Sequence, residues 1–295
     1  MGNPLIRIGT RGSDLALWQA NHVKRLLENM GCNVALHIIQ TQGDRIQDLS
    51  FDKLEGKGFF TKEIEAELLQ GNVDLAVHSH KDLETTPPPG LVIAAVSERE
   101  DPSELLLMRR EAHDPSQILE LKTNAIIGTS SARRQSILKQ YRPDLILEEL
   151  RGNVPTRIDK LRKGMYDAIL LAKAGVSRLN LNTEDLVTCT LDPTTFVPAP
   201  AQGVLGLQVR ANDSNTYAWV RKLNHHEVDT RIRIEREVLK HLEGGCQLPL
   251  GVYNDGKTVH VAYGKSKHEA AVLLAFPLKN EADIVQTIVA TLKAL

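Results

Sequence analysis

The sequence predicts an α/β protein of two units with mostly parallel sheets, followed by a small α+β region. Three observations lead there. Short apolar runs of strand length alternate with amphipathic stretches of helix length. This β-α-β-α-β order runs through "VDLAVHS" (73–79) and starts again at "NAIIG" (124–128). From about Tyr217 the rhythm changes to a long helix followed by alternating segments.

The elements follow in order. "LIRIG" (5–9) reads as a strand, and residues 13–30 as a helix with Ser13 or Asp14 at its start and Gly31 past its end. "VALHIIQ" (34–40) is a strand and "TKEIEAELLQG" (61–71) a helix, acidic early and closed by glycine. "VDLAVHS" is the third strand. In the second unit, "NAIIG", "LILEEL" (145–150) and "YDAILLA" (166–172) read as strands. "SSARRQSILKQY" (130–141) and "VPTRIDKLRKG" (154–164) read as the intervening helices. "EREDPSELLLMRR" (98–110) reads as the crossing between the units, and "FVPAPAQGVLGLQV" (196–209) as a return to the first. A helix over 225–242, two antiparallel strands in "KTVHVAYG" and "AAVLLAFPL", and a helix over 282–294 complete the chain.

The composition excludes several function classes. With 295 residues, 42% hydrophobic and 25% charged, the chain has enough apolar content for real cores. A net charge of −1 and 4% aromatic content argue against a nucleic-acid binder and against an acidic membrane surface. Charge is nevertheless uneven: Arg109 to Arg178 holds 14 Lys and Arg against 8 Asp and Glu. Surplus arginine in one segment of a neutral chain points to a confined anion site. Three widely spaced cysteines, Cys32, Cys189 and Cys246, fit no disulfide framework and no paired-thiol metal motif. The absence of a signal-like N-terminal segment and of any membrane-length apolar run makes the cytoplasm the expected compartment. A monomer is expected, since no long exposed apolar stripe is apparent.

Ligands of open parallel sheets bind beyond the carboxyl ends of the strands. That rule selects "GTRGS" (9–13), "HSHKDLETT" (78–86), "GTSSARR" (128–134), "RGNVPTR" (151–157) and "AKAGVSR" (172–178). Two lobes facing each other with such loops would make a deep cleft. "GTSSARR" puts small and hydroxyl residues at a helix start, where free N–H groups favour anions. Ser130 or Ser131 also fits as a simple N-cap. Arg133 and Arg134 fall in the first turn, where the helix dipole does not favour cations. Guanidinium forks from both segments suit carboxylates, which they grip bidentately. Neither segment has the glycine-lysine pattern of a phosphate-binding loop. His78 and His80 are metal-ligand types, but no third ligand is apparent, so no metal is expected. Asp82, a carboxylate at a strand end, can move protons or stabilise a cation; a salt bridge to a neighbour is the alternative. Cys32 and Cys189 read as core. Cys246 lies in the glycine loop "EGGCQLPLG" (243–251), where a thiolate is reachable.

Taken together, these segments resemble the porphobilinogen deaminase family. The resemblance runs through "IRIGTRGSDLALWQ", "KGFFTKEIE" (57–65), "VHSHKD" (77–82), "GTSSARR", "RGNVPTR", "LAKAGVSRL" (171–179), "PAPAQGVLGL" (198–207) and "LEGGCQLPLG" (242–251). It implies two periplasmic-binding-protein-like lobes and a small C-terminal domain. The implied division is residues 1–98 with 197–215, residues 99–196, and residues 216–295. It implies a dipyrromethane cofactor joined by a thioether to Cys246. It also implies condensation of four porphobilinogen molecules, with loss of ammonia, and hydrolytic release of the linear tetrapyrrole to the next enzyme of tetrapyrrole synthesis. Asp82 falls on the family's catalytic carboxylate. Arg11, Lys81, Arg133, Arg134, Arg151, Arg157 and Arg178 fall on its carboxylate anchors. Ser13, Ser79, Thr129, Ser130, Ser131 and Gln202 fall on further binding positions. A mobile lid is expected near "EGKGFF" (55–60).

The sequence departs from the family pattern in places. Glu84 stands where proline is common, Ala132 where leucine is usual and Gln208 where glutamate is frequent. Lys173 adds a cation. Glu84 leaves the backbone after Asp82 less restricted than proline would. A receptor for a small polyanion remains the main alternative, because paired lobes serve binding as readily as catalysis.

Overall fold

The computed structural model describes residues 3–41, 61–242, 248–279 and 281–295. The chain forms two compact units, Met1–Glu100 with Gly203–Thr230 and Asp101–Gln202 with Arg231–Leu295.

The first unit is built on β1 (Leu5–Thr10), β2 (Asn33–Ile38), β3 (Leu75–Ser79), β4 (Leu91–Val96) and β10 (Leu205–Arg210). The strand order is β2-β1-β3-β10-β4. β1 runs parallel to β2 and β3, whereas β10 is antiparallel to both β3 and β4. Helix α1 (Asp14–Asn29) lays Ala20, Val23 and Leu27 on one sheet face, against Ile6, Ile8, Leu75, Val77 and Leu207. Gly31 ends that helix at φ +91°, a left-handed geometry that costs glycine little. Helix α2 (Lys62–Leu69) places Ile64 and Leu68 on the opposite face, with Val73, Ala76 and Leu91. Alternation along β3 thus sends Leu75 and Val77 to one layer and Ala76 to the other. Asp74 locks the strand starts together. Its carboxylate accepts from Arg7 Nη2 at 2.8 Å and from Arg210 Nη2 at 2.9 Å. Burial works to raise its pKa, but these hydrogen bonds prevail and hold it at about 2.

The second unit repeats the layout with β5 (Glu104–Met108), β6 (Ile126–Gly128), β7 (Ile146–Glu148), β8 (Ala168–Ala172) and β9 (Val187–Leu191), in the order β7-β6-β8-β5-β9. β6 is parallel to β7 and β8, and β5 is antiparallel to β8 and β9. Helices α3 (Ala132–Tyr141), α4 (Val154–Arg162) and α5 (Lys173–Arg178) follow β6, β7 and β8. Residues 98–110, expected as a crossing, contain β5 instead, and every residue of that strand is buried. A strand covered on both faces shows no alternation, so its sequence carries no period-two signal.

The last part of the second unit has helix α7 (His226–His241), an antiparallel sheet of β11 (Leu250–Asn254), β12 (Thr258–Tyr263) and β13 (Val272–Pro277), and helix α8 (Glu281–Lys293). Helix α6 (Ser214–Arg221), which precedes it, was not foreseen. Val238, Val252, Val259, Val261 and Ile288 form the core of this small domain. Cys32 is buried as expected; Cys189, on the edge strand β9, is only half-buried.

Candidate active site

In the first unit, the ends of β1 and β3 open into a small cavity of about 80 Å³. Arg11 and Ser13 reach it from the turn between β1 and α1, and Ser79 and Asp82 from the end of β3. Ser13 is the N-cap residue of α1 in extended conformation, and its side chain makes no cap hydrogen bond. Residues His80–Asp82 form a single 3₁₀ turn, which carries Asp82 out to an exposed position at the cavity. Lys81, on the same turn, is half-buried.

Three further polar residues line this cavity: Gln19, Thr61 and His78. Gln19 is buried on α1 and donates from Nε2 to Ser79 Oγ at 2.8 Å, which fixes that hydroxyl. A buried glutamine inside an amphipathic helix was the available signal, and helical periodicity alone treats it as noise. His78 is 5% exposed, and burial, with the nearby Arg11 charge, pushes its pKa down to about 4 despite an opposing contribution from Gln208.

The second unit presents a different arrangement. Ser131 caps α3 by accepting from Arg134 N at 3.4 Å. Ser130 Oγ donates to Leu150 O at 2.8 Å and accepts from Leu150 N at 3.0 Å, so it ties the loop after β6 to the end of the β7 segment. Thr129 is buried at the same turn. Arg133 and Arg134, the two cations of the first helical turn, point inward. Both meet the fully buried Glu104 of β5, each at 2.6 Å and each on its own carboxylate oxygen. Arg133 also donates to Val197 O and Arg134 to Leu170 O, both at 2.9 Å. Burial lowers the pKa of Arg133, with Glu104 opposing and Arg134 reinforcing the shift.

The remaining anchors lie on loops and helix ends. Arg151 pairs with Glu149 at 3.4 Å, and Arg157 donates from Nε to Gly152 O at 2.7 Å. Arg178 closes α5, and Gln202 is fully buried and donates to Pro102 O at 2.9 Å. Cys246 and the lid expected at 55–60 lie outside the described residues. Among the described residues no group of three or more His, Cys, Asp or Glu side chains is placed to hold a metal ion, and no helix is long and apolar enough to cross a membrane.

Residues 6–218 match the family model described as "Porphobilinogen deaminase, dipyromethane cofactor binding domain", and residues 230–261 match "Porphobilinogen deaminase, C-terminal domain". The chain belongs to the porphobilinogen deaminase family. A porphobilinogen deaminase of Sulfurimonas denitrificans is 46% identical over 83% of this chain and 77% of that protein. One from Syntrophomonas wolfei is also 46% identical, over 83% of this chain and 79% of its own. Among solved structures, an arginine-specific periplasmic binding protein of Salmonella typhimurium aligns at a TM-score of 0.42 with 12% identity, over 77% of this chain and 92% of that one.

The donor set of the second unit fits the family's cofactor. Each pyrrole of a dipyrromethane carries an acetate and a propionate arm. Arg133, Arg134 and Glu104 are all buried, two cations to one carboxylate, and Arg134 Nε has no hydrogen-bond partner among the described residues. A buried charge excess is costly until an anion balances it. A carboxylate arm would supply that charge.

Proposed function

We infer that this chain carries out its family's reaction. It condenses four porphobilinogen molecules head to tail, releasing ammonia at each addition, on a covalently held dipyrromethane primer, and releases the linear tetrapyrrole by hydrolysis. The observation that carries this reading is the first-unit cavity, where Arg11, Ser13, Ser79 and Asp82, drawn from two separate family motifs, line one space.

The primer would be attached through a thioether to Cys246, in the small domain of residues 216–295. When bound, it supplies the pyrrole carbon onto which substrate is added. Arg133, Arg134, Arg151, Arg157 and Arg178, with Thr129, Ser130 and Ser131, would hold acidic arms in the segment 99–196, joined by Gln202 from 197–215. Guanidinium forks suit this because each grips a carboxylate through two parallel bonds. Arg11, Lys81, Ser13 and Ser79, in the segment 1–98 with 197–215, would hold the incoming porphobilinogen.

Asp82 carries the proton chemistry. As ammonia leaves the substrate, positive charge spreads over the pyrrole. The Asp82 carboxylate keeps a proton on the departing nitrogen and offsets that charge. Its place on a short turn at the end of a buried strand fixes its position against the bound ring. The reading places the enzyme in the cytoplasm and passes its product to the next tetrapyrrole-forming enzyme.

Intact mass tests the primer directly. The purified protein exceeds its sequence mass by two linked pyrroles, and Cys246→Ala removes that excess along with activity. An active protein of unmodified mass overturns the proposal.

A further inference from the structure

His78 has no assigned part in the reaction, yet it lines the cavity beside Asp82. Its surroundings fix its hydrogen-bond polarity. Across the antiparallel pair of β3 and β10, Gly206 stands opposite His78 and Gln208 opposite Ala76. Residues directly opposite, or two apart along a strand, share a face. His78 and Gln208 therefore lie on the same side of the sheet, the side covered by α2. From α2, Glu65 completes a row: Gln208 Nε2 donates to Glu65 Oε1 at 2.9 Å. Glu65, Gln208 and His78 are 6%, 0% and 5% exposed.

An ionised carboxylate only accepts hydrogen bonds; burial raises the Glu65 pKa, and the Gln208 hydrogen bond opposes that shift. The Gln208 amide nitrogen turns to Glu65 with one of its two N–H groups, and its Oε1 is left for another neighbour. That Oε1 and His78 Nε2 are both buried, and neither has a hydrogen-bond partner among the described residues. One is an acceptor and the other can be a donor, on adjacent strands of one face. Nearby Gln208 raises the affinity of the imidazole for protons, and the burial and the Arg11 charge outweigh it and keep the ring neutral. A neutral ring has one N–H, and only its place on Nε2 satisfies Gln208. Nε2 is sealed from solvent. Nδ1 is then the ring nitrogen, bearing a free lone pair, that serves the cavity.

We propose that His78 is a hydrogen-bond acceptor for substrate, its Nδ1 taking an N–H of porphobilinogen in the Asp82 cavity, while Glu65 and Gln208 are positioning residues that set its tautomer. This rests on the reading that the cavity takes porphobilinogen. Two acceptors, Asp82 and His78, then face the substrate's nitrogen groups, while Arg11 and Ser13 offer donors to its carboxylates.

The test uses cofactor-loaded enzyme, with loading verified by intact mass. His78→Leu lowers kcat/KM about tenfold or more, the loss of one buried hydrogen bond with its partner left unpaired. His78→Asn, whose side-chain oxygen falls near the place of Nδ1, keeps most of it. His78→Gln, which reaches toward the place of Nε2, behaves like the leucine variant. A second measurement does not depend on how these variants fold. The ¹⁵N spectrum of histidine-labelled wild-type holoenzyme, assigned with His78→Asn, shows the Nε2–H tautomer at His78. In the slow Asp82→Asn holoenzyme its Nδ1 resonance moves when porphobilinogen is added. Undiminished kcat/KM in His78→Leu, an Nδ1–H tautomer, or an unresponsive Nδ1 overturns the proposal. If wild-type holoenzyme makes no tetrapyrrole, the functional reading falls instead, and the tautomer result still decides the Glu65–Gln208–His78 arrangement.

Discussion

The two five-stranded units share a strand layout but treat their polar strand ends in opposite ways. In each, only the fourth strand of the order, β10 or β5, runs against the rest. In the first unit the strand ends hold a cavity with an exposed carboxylate, Asp82, and hydroxyls set by neighbours such as Gln19. In the second, two arginines turn inward onto Glu104 and onto backbone carbonyls. The difference teaches that a cation after a strand can be part of the fold, whatever else it does. Arg133 and Arg134 join α3 to β5 and β8. Among the described residues Asp82 makes no comparable contact, so the role proposed for it is separable from stability.

The largest expected effect tests that separation from the first unit. Asp82→Asn slows tetrapyrrole formation by about 10²- to 10⁴-fold, the usual worth of a positioned acid-base group. Its thermal midpoint stays close to wild type. The second unit answers in the other currency. Glu104→Gln leaves two buried guanidinium groups without their carboxylate, and it destabilises the protein by about 3–5 kcal/mol in denaturant titrations. A Glu104→Gln protein as stable as wild type would erase the contrast between the units.

A smaller effect sharpens it. Asp74, between Arg7 and Arg210, is held at about 2 against an ordinary 3.8. A depressed carboxylate pKa stabilises the fold above the unfolded value and loses that contribution as pH falls through the folded one. This is about 2 kcal/mol, fully present above about pH 4 and lost toward pH 2. Melting of Asp74→Asn across pH measures it: the deficit against wild type is greatest near neutrality and shrinks in acid. A deficit independent of pH would mean that packing, not charge, holds these strands.

Much of this arrangement was legible in the sequence, and the gaps have physical reasons. Strands β1, β3, β6, β7 and β8 announce themselves as short apolar runs followed by polar loops, and those loops carry the candidate site residues. Strand β5 escaped because "ELLLM" is buried on both faces and sits among charged residues that read as a crossing. Arg133 and Arg134 stood out for opposing the helix dipole, which pointed to a ligand, and the structure pairs both with Glu104. Their protein partner was invisible, because Glu104 is about thirty residues away and no local pattern links them. Gln19 was passed over, and His78 was weighed only as a metal ligand, for a related reason. A polar residue inside a regular element reveals its purpose only when the opposite strand or the next helix is in place, as Gln208 and Glu65 are for His78.

The central claim is that the chemistry resides at Asp82, on a fold that does not need that carboxylate. A time course of intact mass after mixing Asp82→Asn holoenzyme with porphobilinogen tests it most directly. The account predicts a protein that melts like wild type, carries its two-pyrrole excess mass at the start, and gains further pyrrole units at least a hundredfold more slowly. Addition at the wild-type rate from the same loaded, folded protein would contradict it.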